Sequence, residues 1–177
     1  MDRFHVLTGA PGTGKTTILE NLGSDISVVP EPARRVLETW RAEGNPLPAR
    51  MDPDMMIERM IDLATRDLEM ARRRGPVVFD RGLIDCVAYA RHLDRDDTRA
   101  VAAVGDHRYS ERVLLTAPWR EIYATDHERT MDFEDVERFH ATVVRTYLDA
   151  GYELIVVPNA SLAERVAFVR RHLGSGD

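Results

Sequence analysis

One cysteine, Cys86, stands in 177 residues, so no intrachain disulfide can form and the fold must rest on packing. A reducing, cytoplasmic setting is the expectation. Cys86 falls among Ile84, Val87 and Ala88, the company of a small buried apolar residue. Long hydrophobic runs are missing too: no stretch approaches the roughly 18 apolar residues of a spanning helix, and no secretory signal pattern opens the chain. No membrane span is expected.

Positive charge is also short, with 24 Lys and Arg against 30 Asp and Glu, a formal net charge of −6. Acids are interleaved with arginines along nearly every predicted helix. The basic clusters Arg72-Arg73-Arg74 and Arg170-Arg171 sit near helix C-termini, where the dipole favours cations. Nucleic acid is therefore not expected as the main partner. His5, His92, His107, His127, His140 and His172 show no metal-ligand spacing with the cysteine, so no zinc site is expected. There is no internal repeat, and no heptad run from which an oligomeric state could be read.

What is present describes an ordinary globular chain: 44% hydrophobic and 31% charged residues, at a length that fits one domain over residues 1–177. Its most specific stretch is Gly9-Ala10-Pro11-Gly12-Thr13-Gly14-Lys15-Thr16, followed by Thr17. It lies between the apolar run Phe4 to Leu7 and the helical pattern Ile18 to Leu22, the strand-then-helix setting that the phosphate-loop (Walker A) pattern G-x-x-x-x-G-K-[ST] requires. Glycines permit turns in which several main-chain N–H groups converge on one phosphate. Lys15 adds a mobile charge for the outer phosphates, and the Thr16 hydroxyl is placed to ligate Mg2+. Gly9, Pro11, Gly12, Thr13, Gly14, Lys15, Thr16 and Thr17 are thus expected to hold a nucleoside triphosphate.

Phe4 to Thr8 reads as a central parallel strand, and Ile26 to Val29 as a second. Glu31 follows the second strand between Pro30 and Pro32, at the strand end where open α/β sheets bind ligands. It is either an acceptor-side carboxylate or an acid at the N-terminus of the helix that Pro32 opens, carrying Ala33, Val36, Leu37 and Trp40 to about Glu43. Arg34 and Arg35, in the first turn, either contact an anionic substrate or form solvated surface. Gly44-Asn45-Pro46 breaks the helix. Asp52-Pro53 opens a long helix to about Arg74 whose Met56, Met60, Leu63 and Leu68 fill core or line a pocket.

Val77-Val78-Phe79-Asp80-Arg81-Gly82 is the second informative stretch. An acid at a strand end matches the group that supports magnesium beside Thr16, with a helix cap as its other reading. Arg81 is positioned to reach a phosphate. Helices are expected over Ile84 to Leu93 and Thr98 to Val104, then a strand over Arg112 to Thr116. The segment at about 119–133 carries Arg120, Glu121, Asp126, His127, Glu128, Arg129 and Asp132 with little to bury, and reads as a lid or as a solvated helix pair. A helix from Glu134 to Ala150, a strand over Leu154 to Val157 and a helix opened by the capping box Ser161-Leu162-Ala163-Glu164 complete the chain.

The phosphate loop, the strand-end Glu31 in Val29-Pro30-Glu31-Pro32-Ala33-Arg34, the Phe79-Asp80-Arg81-Gly82 block and the Trp119 to Arg129 segment together resemble a known family. It is that of the small P-loop ATPases and kinases of the AAA type, grouped with the ribosylnicotinamide kinase domain of the bacterial NAD-biosynthesis regulator. More distantly, the chain is similar to the deoxynucleoside kinases. Gly151-Tyr152-Glu153-Leu154 and Pro158 extend the resemblance to essentially the whole chain.

That resemblance implies an α/β P-loop three-layer sandwich, a five-stranded parallel sheet with helices on both faces in the nucleoside-kinase order 2-3-1-4-5. It implies Glu31 as the acceptor-side carboxylate, Asp80-Arg81 in place of the kinases' acidic-Arg pair, and Arg129 as the lid arginine. Lys15, Glu31, Asp80 and Arg129 would then be catalytic; Glu31, Arg34, Arg35, Arg81 and Asp126 would face the substrate. Thr16 and Asp80 would hold the magnesium. ATP is the donor by family default, since no Asn/Thr-Lys-x-Asp signature for GTP is visible. No base-reading set matches, which leaves the small-molecule acceptor open among a nucleoside, a ribosylated pyridine, an antibiotic hydroxyl and other metabolites. Some relatives resemble regulators, so the expected ATP-dependent small-molecule kinase has an alternative: an ATPase or GTPase switch that binds a protein or phosphoinositide partner.

Overall fold

The computed structural model describes residues 4–45, 51–71, 76–123 and 131–174. The elements run β1 (Phe4–Gly9), α1 (Lys15–Glu20), β2 (Ser27–Val29), α2 (Pro32–Ala42), α3 (Pro53–Ala71), β3 (Val77–Asp80), α4 (Leu83–His92), α5 (Thr98–Asp106), β4 (Arg112–Thr116), α6 (Phe133–Asp149), β5 (Glu153–Val157) and α7 (Leu162–Gly174). All five strands pair in parallel, in the order β2-β3-β1-β4-β5.

The period of two along each strand divides the core into two layers. Val6, Val77, Phe79, Val113 and Leu115 join the cluster filled by α2 through α6. Their strand neighbours Leu7, Val78 and Leu114 join the cluster filled by α1, the turn after it and α7 through Ile18, Leu19, Leu22 and Val169. Strands buried on both faces read as unbroken apolar runs because neither face can be polar. The central runs of β1, β3 and β4 were legible for that reason, while the edge strands β2 and β5 leave Val28 and Val156 exposed; the three-layer α/β sandwich with its 2-3-1-4-5 sheet agrees with expectation.

Boundaries differ by one or two residues. Helix α1 stops at Glu20, closed by tighter turns in which Asn21 and Leu22 donate to Ile18 and Leu19, and α5 runs past Val104 to Asp106. The capping box at Ser161 and Glu164 forms on both sides, at 3.0 and 3.4 Å. Cys86 is fully buried and free. Among the described residues, no helix is long and apolar enough to cross a membrane.

The stretch expected as a lid is described only at its two ends. Tyr123 donates to the Met131 carbonyl at 2.7 Å and meets Phe133 edge-on at 5.5 Å, while Arg120 lies over the Phe133 ring at 4.0 Å. The chain therefore leaves and returns at one point. Asp126, His127, Glu128 and Arg129 lie outside the described residues, as do Arg72-Arg73-Arg74.

Candidate functional site

β1, β3 and β4 are adjacent, and their carboxyl ends carry the loop after Gly9, then Asp80 and Thr116. Gly9, Gly12 and Gly14 all take positive φ, at 129°, 71° and 79°. At Gly9 the demand is absolute, because a Cβ there would stand 2.1 Å from the Thr116 carbonyl oxygen. The loop is tied down from within and from β4. Thr13 Oγ1 donates to the Ala10 carbonyl at 2.9 Å and lies 2.7 Å from Thr116 Oγ1, which bonds the Thr8 carbonyl at 3.1 Å.

Lys15, only 7% exposed, donates to the carbonyls of Ala10 at 2.7 Å and Gly9 at 3.3 Å. Burial, with Arg81 nearby, pulls its ammonium down to about 7 against the opposing pull of Asp80, Glu31 and Asp85. A lysine so placed favours any anion that arrives beside it.

Thr16 Oγ1 donates to Asp80 Oδ2 at 3.2 Å, and the other carboxylate oxygen, Oδ1, is buried without a hydrogen-bond partner among the described residues. Burial pushes the Asp80 carboxyl above its ordinary value, and Glu31 adds to that while Lys15 and Arg81 oppose it. An orphaned carboxylate oxygen beside a hydroxyl is a hard-oxygen donor set, suited to a magnesium ion that completes its shell with phosphate oxygens and water. Among the described residues no group of three or more His, Cys, Asp or Glu is arranged to hold a metal by itself. Asp80 does not cap α4; Gly82 does.

Glu31 stands at the N-cap of α2, yet its side chain makes no cap bond. Its oxygens take two arginines instead: Arg81 Nε at 3.0 Å and Arg34 Nε at 3.1 Å. Burial raises the Glu31 carboxyl, but Arg81, Lys15 and Arg34 outweigh it and hold it below the usual carboxylate value. Arg81 is buried and adopts φ 65°, a left-handed conformation that costs a non-glycine residue about 1 kcal/mol or more. What holds it there is a set of bonds to Glu31, to Asp85 Oδ1 at 3.0 Å and from its own N–H to the Leu7 carbonyl at 3.1 Å. The guanidinium also lies 5.5 Å from the Phe139 ring centre.

Of the two α2 arginines, Arg34 is half exposed beside Glu31, while Arg35 pairs with Asp67 of α3. The structure thus brings Lys15, Thr16, Asp80, Arg81, Glu31 and Arg34 to one edge of the sheet and ties Arg35 elsewhere. Asp126 and Arg129 lie outside the described residues.

Three participants escape sequence reasoning. Asp85, 2% exposed, accepts from Thr8 Oγ1 at 2.5 Å, Arg81 Nη1, the Gly82 N–H at 2.9 Å and Tyr147 Oη at 2.6 Å. Its only local signal is the spacing: three residues after a glycine, as in a capping box, and four after an arginine. Asp85→Asn turns one acceptor oxygen into a donor facing other donors. It is expected to destabilise the chain by about 2–4 kcal/mol in urea unfolding; an unchanged midpoint would show that this hub carries no stability. His140 of α6 is half-buried, its Nδ1 without a hydrogen-bond partner among the described residues, and burial, Lys15 and Arg81 keep it below its ordinary value. The third, Arg165 of α7, donates Nη2 to the Thr13 carbonyl at 2.7 Å.

A family model described as an AAA domain matches residues 4–165. Among solved structures, the chain is similar to the deoxyadenosine kinase from M. mycoides with products dCMP and a flexible dCDP bound, with TM-score 0.67 and 14% identity over 97% of this chain and 99% of that one. It is also similar to the NadR protein in complex with NR, with TM-score 0.75 and 20% identity over 99% of this chain and 52% of that one. A third match is NadR with NAD and AMP-PNP, with TM-score 0.71 and 19% identity over 99% and 51%. The chain spans about half the length of the NadR chains. Among curated proteins, none matches significantly by sequence. The likeness to these solved structures is one of fold: the parallel 2-3-1-4-5 sheet with helices on both sides.

Proposed function

The chain belongs to the AAA-domain family whose model spans residues 4–165, and on that premise we propose that it is an ATP- and magnesium-dependent kinase that phosphorylates a hydroxyl of a small, nucleoside-like molecule. The observation that carries this reading is the second carboxylate. Glu31 is held ionised at the same sheet edge as Lys15 and Asp80, by an arginine kept in a strained turn. Nucleotide binding alone requires the loop, Lys15, Thr16 and Asp80; an anionic oxygen beyond them serves an acceptor.

In this reading the loop and Lys15 bind and orient the triphosphate. A magnesium ion held by Thr16 and Asp80 supplies charge neutralisation on the outer phosphates when bound. Glu31 accepts a hydrogen bond from the acceptor hydroxyl in place of Arg34, whose half-exposed pairing is weak enough to yield. As the acceptor oxygen bonds to the γ-phosphorus, the bridging P–O bond to the β-phosphate breaks, ADP leaves, and the hydroxyl proton passes to Glu31. Arg81, pinned by Asp85, keeps Glu31 in place. The segment over 119–133 serves as the lid that excludes water, with Arg129 as the arginine it contributes.

A nucleoside-like acceptor is supported by the fold shared with a deoxyadenosine kinase and with an NR complex of NadR. The test is a panel of nucleosides, ribosylated pyridines and other hydroxylated metabolites scored for stimulated ADP release with magnesium and ATP. One class is expected to raise ADP release into the ~1–100 s⁻¹ range of kinases and to appear as its phosphate ester. ADP release that no hydroxyl compound stimulates, together with nucleotide-dependent capture of a protein or phosphoinositide, would establish a switch instead.

A further inference from the structure

Two arginines are buried among the described residues, and they differ in company. Arg81 has carboxylates on both sides. Arg165, 4% exposed, has none among the described residues. From the first turn of α7 it reaches the phosphate loop 152 positions away: Nη2 donates to the Thr13 carbonyl at 2.7 Å, and Nη1 lies 3.0 Å from where a Cβ on Gly14 would stand. Its Cζ is 5.5 Å from the Trp119 ring centre, and its Nε is buried with no hydrogen-bond partner among the described residues.

A guanidinium stays charged at any accessible pH, and sealing it from water without a counter-ion costs stability. A second cation, Lys15, is bonded to the Ala10 carbonyl of the same loop. Two cations therefore grip one short turn, and the acid at the end of β3, Asp80, is engaged with Thr16. Such an arrangement is unfavourable in the free protein and is relieved by an anion of high charge.

We propose that Arg165 is a positioning residue for the triphosphate, a fixed cation behind the phosphate loop that acts through the Thr13–Gly14 peptide. Donating to the Thr13 carbonyl draws electron density toward that end of the peptide. The Gly14 N–H at the other end, one of the donors that the motif offers to phosphate, becomes a stronger donor. Arg165 adds positive charge to a loop that Lys15 already holds at the Ala10 carbonyl. This assignment rests on the loop being a triphosphate site and extends it: the motif pattern itself calls for no second cation.

The experiment uses the full chain with Arg165→Lys, Arg165→Gln and Arg165→Met. It measures calorimetric affinity for magnesium–ATP and for magnesium–tripolyphosphate, and the thermal midpoint with and without each. In Arg165→Met both affinities are expected to fall by about tenfold or more, while the midpoint of the free protein holds or rises. Arg165→Lys should recover most of the affinity. Arg165→Gln, which keeps a donor for the Thr13 carbonyl but no charge, should not.

A Gln variant with native affinity would reduce Arg165 to a structural clamp and overturn the proposal, as would a free-protein midpoint that falls in Met and Gln alike with affinity unchanged. Loss of ATP affinity with tripolyphosphate affinity intact would also overturn it, moving Arg165 and Trp119 to the service of the nucleotide base. A wild-type chain that binds neither ligand overturns the triphosphate reading along with this one, and is told apart because no variant is needed to see it.

Discussion

Glu31→Gln should leave magnesium–ATP affinity within about threefold of wild type and lower turnover of the acceptor by roughly 10²–10⁴. The amide keeps the size of the side chain but cannot take a proton. Arg81 retains Asp85 when it loses the Glu31 charge, so the turn at φ 65° is expected to survive. Because Arg81, Lys15 and Arg34 outweigh burial and hold Glu31 below the ordinary carboxylate value, the base is already ionised throughout the neutral range. Any acid limb in kcat above about pH 5 therefore belongs to another group. A carboxylate held below its ordinary value is the weaker base, which suits orientation of the hydroxyl with late proton transfer in a loose phosphoryl transition state. Native turnover in the Gln variant would remove Glu31 from the chemistry.

Lys15→Met is expected to abolish triphosphate binding and yet raise the stability of the free protein. Lys15 is the only lysine in the sequence, and its ammonium is lowered from 10.5 to about 7 by burial and by Arg81. The unfolded chain therefore binds more protons than the folded one between those values. The cost of the buried charge is fully present below pH 7 and disappears as pH rises toward 10.5. That shift corresponds to at most about 5 kcal/mol, offset by about 1 kcal/mol for each of the two carbonyl bonds the ammonium makes. With a further allowance for imperfect packing of methionine, a net gain of about 2 kcal/mol at pH 6 is a rise in Tm of roughly 4–8 °C, shrinking toward pH 10.

Binding carries the matching signature in the wild type. An anion that pulls the Lys15 pKa back up makes the protein take up a proton near pH 7, which calorimetry in buffers of different ionisation enthalpy detects. A Met variant destabilised equally at pH 6 and pH 10 would show that Lys15 is not held in a strained charge state.

Whatever depends on a few consecutive residues is legible in the chain itself. The phosphate loop is, because three glycines, a lysine and a threonine in fixed spacing have one common use. Asp80 is, because an acid closing a fully apolar strand end has few alternatives. Glu31 is ambiguous: Pro30 and Pro32 mark the position but suit a helix start as well as a site. In the structure its side chain makes no cap bond and pairs instead with Arg81, 50 positions away, a contact that nothing along the chain announces. Arg35 shows the reverse. Adjacent to Arg34 and alike in chemistry, it is turned by the helical period toward Asp67 of α3.

The amino-acid sequence alone determined the element order, the parallel class and the anion-binding loop, since apolar periodicity and glycine placement act over a span shorter than one helix. Tertiary structure alone decided that Asp85 joins Thr8, Arg81 and Tyr147, and that Arg165 backs the loop at Thr13. Those contacts close over as many as 152 residues, and their existence depends on where the whole chain has travelled rather than on any pattern along it. A buried charge has no local signature, because its energy is set by the groups that folding brings to it.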